Sequence, residues 1–334
     1  MSGLRTILIS VIFSVSLGAS AYAQAPGVST GPGQVWPTRP VRLVLGLPPG
    51  SGSDLLARAL AQRLTGQWRQ PVVVENRTGA NTIIATEAVA RADADGHTLL
   101  FGIGYSFTLI PHLYAKIPYD PIEDFAPITT LAQFGTVLVV NPALRVNNFS
   151  ELIALARSQP GKITYGSIGS GSSPHLMWEM ISNKAGIKLL HVPYKGQSQL
   201  MMAVLTNEVN LTWAGVFSVG RHVTAGKLKA LAYSGAKRSS AMPELPTIVE
   251  LGYPDARTEV WYGLFAPART PRTLIDRIHR DVGKLLAEPD FRQKEIFSKG
   301  YEPSSLGPEE ITALIRRELV AGGMLVKISG ARAE

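Results

Sequence analysis

The sequence predicts an α/β protein of two lobes, each a doubly wound, mostly parallel sheet flanked by helices. Three observations lead there. Apolar runs of strand length alternate with segments whose apolar residues recur every three or four positions. The alternation occurs twice, as one βαβαβ unit and then a second. The 334 residues allow one large or two medium domains, and two lobes fit that length better than one oversized sheet.

The first unit opens with a strand at Val41–Leu45 and a helix at Asp54–Trp68, where Leu55, Leu56, Ala59, Leu60, Arg63 and Leu64 fall at helical spacing. Val72–Glu75 is the next strand, a helix carries Ile84, Ala88 and Val89, and Thr98–Phe101 is the third strand. The second unit begins with a long apolar strand at Gly135–Asn141. Helix Phe149–Gln159, strand Thr164–Ser167, helix Leu176–Ala185 and strand Leu189–Val192 follow, then helix Leu200–Leu205 and strands Val209–Trp213 and Leu228–Tyr233. The tail holds a strand at Tyr262–Ala266, an amphipathic helix at Pro271–Leu286, and shorter helices near Asp290–Ser298 and Pro308–Leu319. No fixed-period repeat is visible. The chain is expected to cross between lobes near Gly135 and to return between Ser234 and Tyr262, which puts 37–135 with 256–334 in lobe 1 and 136–255 in lobe 2.

Ahead of these units, Arg5 precedes an apolar run from Ile7 to Leu17 and an Ala21-Tyr22-Ala23 triplet before Gln24. This is the pattern of a cleaved secretory signal peptide, residues 1–23. The run falls short of the roughly 20 residues a bilayer span needs. Residues 24–36 are rich in Pro, Gly and Ser and read as a flexible lead-in. An exported protein is expected.

Composition excludes several chemistries. The chain has no Cys, so disulfides, Cys-ligated zinc, iron–sulfur clusters and Cys nucleophiles are all ruled out. Its 33 Lys+Arg exceed its 25 Asp+Glu, a net charge of +8 that favours anionic partners. The basic residues do not form runs, which argues against nucleic acid and leaves small organic anions.

The informative segments are two Gly-rich junctions between a strand and the helix after it. Pro48-Pro49-Gly50-Ser51-Gly52-Ser53-Asp54 follows the first strand. Gly166-Ser167-Ile168-Gly169-Ser170-Gly171-Ser172-Ser173-Pro174-His175 holds the equivalent place in the second unit. Glycine lets the backbone approach a ligand, and the free N–H groups of the helix's first turn favour an anion. Each loop taken alone also fits a plain tight turn. Neither is a nucleotide fingerprint: Leu55 and Pro174 stand where the third glycine of G-x-G-x-x-G belongs, Gly102-Ile103-Gly104 has Phe107 there, and no G-x-x-x-x-G-K-[ST] occurs.

Catalytic patterns are missing. No G-x-S-x-G stands at a strand-to-helix turn as a nucleophile elbow, the one match at Gly27–Gly31 falling in the lead-in, and there is no H-E-x-x-H and no H-x-x-x-H metal pair, so neither metal nor cofactor is expected. Of the six His only His175 adjoins a Gly-rich loop, and it reads as a hydrogen-bonded structural residue before a general base. Asp54 reads first as a helix N-cap and second as a ligand contact. Tyr105, Tyr194 and Trp213, at strand ends, and Phe217, in a loop beyond one, are aromatic candidates for a ligand wall or for the core.

The strings Trp36-Pro37-Thr38-Arg39-Pro40-Val41-Arg42-Leu43-Val44, Val72-Val73-Val74-Glu75-Asn76-Arg77, Asp95-Gly96-His97-Thr98-Leu99-Leu100, Tyr119-Asp120-Pro121, His191-Val192-Pro193-Tyr194-Lys195-Gly196 and Leu264-Phe265-Ala266-Pro267, together with both loops, resemble the tripartite tricarboxylate transporter substrate-binding receptors, the Bug family. The resemblance runs in unbroken order from Trp36 onward. It implies a periplasmic binding protein of the type II, Venus-flytrap kind, a monomer without enzymatic activity that serves membrane transporter subunits. It also implies that a ligand carboxylate is gripped, partly through ordered waters, by Gly50, Ser51, Gly52, Ser53 and Asp54 on one lobe and by Ser167, Gly169, Ser170, Gly171 and Ser172 on the other. Two departures bear on specificity. Ala214 follows Trp213 where many relatives carry Asp, and Ser51 and Ser53 replace the usual Gly and Thr. Lacking the acid, the site is expected to take a di- or tricarboxylate or an aromatic carboxylate without a basic nitrogen. The rival readings are a sensor for a membrane signalling partner and an exported α/β hydrolase, the latter requiring a nucleophile and base facing the cleft.

Overall fold

The structure is a computed structural model that describes residues 36–329. The signal peptide read at 1–23 and nearly all of the lead-in lie outside these residues. In chain order the elements are β1 (Val41–Leu45), α1 (Gly52–Trp68), β2 (Val72–Asn76), α2 (Ile83–Ala90), β3 (Thr98–Ile103), the single turns α3 (Tyr105–Thr108) and α4 (Ile110–Leu113), β4 (Phe125–Val140), α5 (Phe149–Ser158), β5 (Thr164–Ser167), α6 (Ser173–Ala185), β6 (Leu190–Pro193), α7 (Gln197–Leu205), β7 (Leu211–Gly215), α8 (Val216–Thr224), β8 (Lys229–Tyr233), β9 (Glu259–Pro267), α9 (Arg272–Ala287), the single turn α10 (Pro289–Phe291), β10 (Glu302–Pro303) and α11 (Pro308–Ser329).

These elements build two sheets that share one strand. In the first, β2, β1 and β3 run parallel, followed by antiparallel β9 and the first half of β4. In the second, β6, β5 and β7 run parallel, followed by the antiparallel second half of β4 and then β8. The strand β4 changes partner between Gly135, opposite Glu259 of β9, and Thr136, opposite Gly215 of β7. Alternation along each strand feeds a core on both sheet faces. Val41, Leu43 and Leu45 of β1 enter one cluster and Val44 the other, while β4 sends Leu138 and Val140 to one side and Val137 and Val139 to the other.

The crossing is tied by a buried hydroxyl. Ser234 Oγ accepts the Thr136 N–H at 2.7 Å and donates to the Thr258 carbonyl at 2.6 Å, while Thr258 N–H returns to the Ser234 carbonyl. Ser234 is fully buried. The two connecting segments are thereby tied together, because separating them would strand buried donors and acceptors.

Three expectations are corrected here. The strand β4 starts ten residues before Gly135, because register shifts at Pro127/Thr129 and Thr130/Ala132 break its alternation. The strand β7 runs on to Gly215, and the residues after it form the helix α8 and not a loop, with Phe217 in its first turn. Its Val216, Val219 and Val223 are poor helix formers, so burial of Val219 outweighs propensity. Finally, α11 runs ten residues past Leu319 through Gly322 and Gly323, since a side chain at Gly322 would strike the Thr108 carbonyl of α3.

Candidate functional site

The loop after β1 is shaped by its own side chains. Ser51, in extended backbone, caps α1 by accepting the Asp54 N–H at 3.3 Å, so Ser51 is the N-cap and not Asp54. Asp54 is fully buried: Oδ2 accepts from Gly50 N–H and Arg58 Nε, each at 2.9 Å, and Oδ1 from Asn76 Nδ2 at 2.9 Å. Burial alone would raise its pKa, but Arg58, the Gly50 N–H and Asn76 outweigh it and hold the carboxyl below its ordinary value. Gly50 takes φ +76° to make the turn. Ser51 and Ser53 hydroxyls bond each other at 2.9 Å, and Ser51 also donates to the Pro48 carbonyl. The N–H groups of Gly52 and Ser53 keep no protein partner, as the first turn of a helix leaves them.

Beneath this loop stands an aromatic group that sequence reasoning missed. A Cβ at Gly52 would fall well inside 3.0 Å of the Tyr301 hydroxyl and 3.4 Å from the Phe217 ring. Tyr301 is buried against Phe134, with ring centroids 5.0 Å apart, and bonds Tyr262. Burial pushes the Tyr301 hydroxyl up to about 12. No spacing signal marks these tyrosines in the sequence.

The loop after β5 is likewise self-supported. Gly169 and Gly171 take φ +117° and +79°. Gly169 N–H donates to Ser167 Oγ at 3.1 Å, Gly171 N–H to His175 Nδ1 at 2.9 Å, and Ser172, the N-cap of α6, returns its hydroxyl to the Gly169 carbonyl at 2.6 Å. The glycine N–H groups expected to meet an anion are thus spent on the loop. The N–H groups left are those of exposed Ser170 and of Ser173 and His175 in the first turn of α6, and the buried Ser173 hydroxyl also lacks a partner. An acid partner for His175 stands one turn on: Glu179 Oε1 is 3.7 Å from Nε2. The i, i+4 spacing His175…Glu179 was the available signal.

Both loops lie at the C-terminal ends of parallel strands, and those ends face each other. The helix α8 begins beside the second loop, because β7 is parallel to β5, and its Phe217 reaches the Gly52 loop. Leu113 of α4 seats on Gly171, and Val216 on Gly300. Phe217, 41% exposed, is the aromatic open to this space. Trp213 is 1% exposed and packs on Trp178 with ring centroids 6.1 Å apart, Ala214 is buried beside it, and Tyr194 is buried with its hydroxyl on Glu208 at 2.8 Å. Tyr105, partly buried, opens α3 and packs between the two cores of the first lobe. Among the described residues no group of three or more His, Asp and Glu stands close enough to hold a metal ion.

A strained arch completes the rim. Gly79, Ala80, Asn81 and Thr82 take φ of +130°, +44°, +51° and +77° in succession. Thr82 is buried under the first loop, bonding Ser106 at 2.6 Å and filling the space that only a glycine at position 46 leaves. Asn81 is exposed and bonds the Tyr114 hydroxyl, next to Leu113. Each left-handed non-glycine residue costs about 1–2 kcal/mol. Ala80→Gly is therefore expected to raise stability by about 0.5–1 kcal/mol after glycine's unfolded-state entropy is subtracted, read as a higher melting temperature.

Comparison with known proteins agrees with this geometry. The tripartite tricarboxylate transporter family receptor pattern matches residues 56–330. A UPF0065 protein of Bordetella pertussis is 32% identical over 95% of this chain and 98% of its own length. BugT of the same organism is 30% identical over 99% of each chain. Among solved structures, R. palustris Rpa4515 with adipate matches with a TM-score of 0.83 and 31% identity over 89% of this chain and 99% of that one. The periplasmic binding protein BugD gives 0.78 and 31% over 90% and 100%. The two-lobe α/β architecture is the type II periplasmic binding protein fold, and the protein is a solute-binding receptor. As the motifs implied, the chain belongs to the tripartite tricarboxylate transporter receptor family.

Proposed function

We propose that the protein is an exported, periplasmic, monomeric receptor that captures a small carboxylate between the two Gly/Ser loops and delivers it to a tripartite tricarboxylate-type membrane transporter. The carrying observation is the pair of helix starts, α1 and α6, at facing strand ends. Each keeps unspent N–H groups, from Gly52 and Ser53 on one side and Ser170, Ser173 and His175 on the other. Such donors with the positive ends of two helix dipoles suit a carboxylate. The 31% identical Rpa4515, solved with adipate, supports the same class of ligand.

Asp54 acts in this reading as the brace that sets the loop, since its oxygens are already taken. Ser51 and Ser53 hydroxyls, Ser167 and Ser172 likewise shape the loops, and waters extend the remaining donors to the ligand. Phe217 supplies the wall, a part that buried Trp213, Tyr194 and Ala214 do not take in this conformation. With no acid among Gly215, Val216 and Phe217 to neutralise an ammonium, ligands without a basic nitrogen are favoured. The Ser167 and His191 pair, 2.7 Å apart, does not favour a hydrolase, because Ser167 is fully buried and its oxygen also serves Gly169.

A thermal-shift panel of dicarboxylates, tricarboxylates, aromatic acids and amino acids tests this. Stabilisation by one or more acids lacking an amine is expected. Stabilisation by amino acids alone would overturn the specificity reading.

A further inference from the structure

The second loop is held from beneath by two imidazoles that no ligand chemistry requires. His175 and His191 stack face to face with centroids 4.2 Å apart and planes 6° from parallel, and Tyr165 lies beside the pair, its centroid 4.9 Å from that of His191 and 6.5 Å from that of His175. His175 Nδ1 accepts the Gly171 N–H at 2.9 Å. Ser167 Oγ accepts the Gly169 N–H and donates to the Gly169 carbonyl at 3.0 Å, so His191 Nε2, 2.7 Å away, donates to it. Gly171 therefore hangs on His175 directly, and His191 supports Gly169 through Ser167.

We propose that His175, stacked on His191, is a positioning residue for the second loop, competent only as a neutral imidazole, so that protonating it releases Gly171 and lowers affinity for the carboxylate. This rests on the binding function proposed above. A backbone N–H always donates, so Nδ1 of His175 must accept; its protonation sets one donor against another at Gly171. A charge on either ring also lies 4.2 Å from its partner, which disfavours a second. The titratable groups contacting the pair are Glu179, 3.7 Å from His175 Nε2, and Tyr165, whose hydroxyl donates to the same Glu179 oxygen at 2.8 Å. Glu179 favours a charged His175, but burial outweighs it and holds that ring below its ordinary value. Burial first, then the charge of His175, brings His191 down to about 4. Acid titration of the loop is therefore expected below about pH 6.5, the ordinary histidine value.

The experiment has two arms. In the first, the Gly169 and Gly171 amide signals and the imidazole carbons of the mature protein are followed by NMR from about pH 7.5 to about pH 5. The Gly171 amide should shift with the His175 ring, and a Gly171 amide that stays still while that ring titrates would overturn the proposal without reference to any ligand. In the second, adipate is titrated at both pH values. The native protein should lose affinity by about tenfold or more. His175→Asn keeps an acceptor at the Nδ1 position but cannot charge, and combined with His191→Gln it should hold affinity within about threefold across the same range, while an equal acid loss in this variant would contradict the mechanism. If adipate binds nowhere in the range, the second arm is run with an acid that stabilises the protein in the thermal-shift panel, and the first arm decides the positioning role by itself.

Discussion

Replacing Gly52 by alanine is expected to lower ligand affinity by about 100-fold or more while leaving the fold intact. The added Cβ would fall well inside contact distance of the Tyr301 hydroxyl, and Tyr301 cannot yield, because it is buried between Phe134 and Tyr262. The loop must shift instead, and with it the N–H groups of Gly52 and Ser53. Losing two hydrogen bonds to a charged group, each worth about 1.5–3 kcal/mol, accounts for the fall. Overpacking should add about 1–3 kcal/mol of instability. Calorimetric titration of the variant with a carboxylate that binds the native protein checks it, and Gly52→Ala together with Tyr301→Phe should recover part of the affinity. Undiminished binding by the single variant would remove the first loop from the site.

Asp54→Ala carries the largest expected stability effect outside the hydrophobic cores. It removes a buried carboxylate that satisfies Gly50 N–H, Arg58 and Asn76 together. Breaking a buried pair costs about 3–5 kcal/mol, but Arg58 is 50% exposed and regains water, so about 2–3 kcal/mol is expected. Because its folded pKa is depressed, the contribution is present above the ordinary carboxylate value of 3.8 and lost as pH falls below it. Denaturant unfolding near neutral pH should show the loss. Asp54→Asn, which keeps one acceptor, should lose about half as much, and both should weaken ligand binding because Gly50 no longer holds its turn. A change below about 0.5 kcal/mol in Asp54→Ala would show that the loop braces itself by other means.

Much of the scaffold was legible because its signals are local. The strands β1 and β5 have the bounds expected from the sequence, and both Gly-rich junctions follow them as expected. What local pattern does not carry is who bonds whom. Gly50, Gly169 and Gly171 marked two loops open to close backbone approach, but the fate of their N–H groups depended on Asp54, Ser167 and His175 folding back on them. A ring at a strand end looks the same in sequence whether it turns inward, as Trp213 does, or stays open, as Phe217 does. The arch at Gly79–Thr82 was illegible for a different reason: Ala80 and Thr82 adopt conformations their own preferences oppose, and only packing on Gly46 and Ser106 explains them. The bulged half of β4 and the valine-rich α8 failed the same way, since tertiary burial overrode period and propensity.

The central claim is that two opposed helix starts hold a small carboxylate. Native mass spectrometry of the mature protein purified without denaturation, incubated with the acids of the panel, reads this most directly. A one-to-one complex with a carboxylate, lost in Gly52→Ala and retained in Ala80→Gly, is the expected result. A bound species without a carboxylate, or occupancy unchanged by Gly52→Ala, would contradict it.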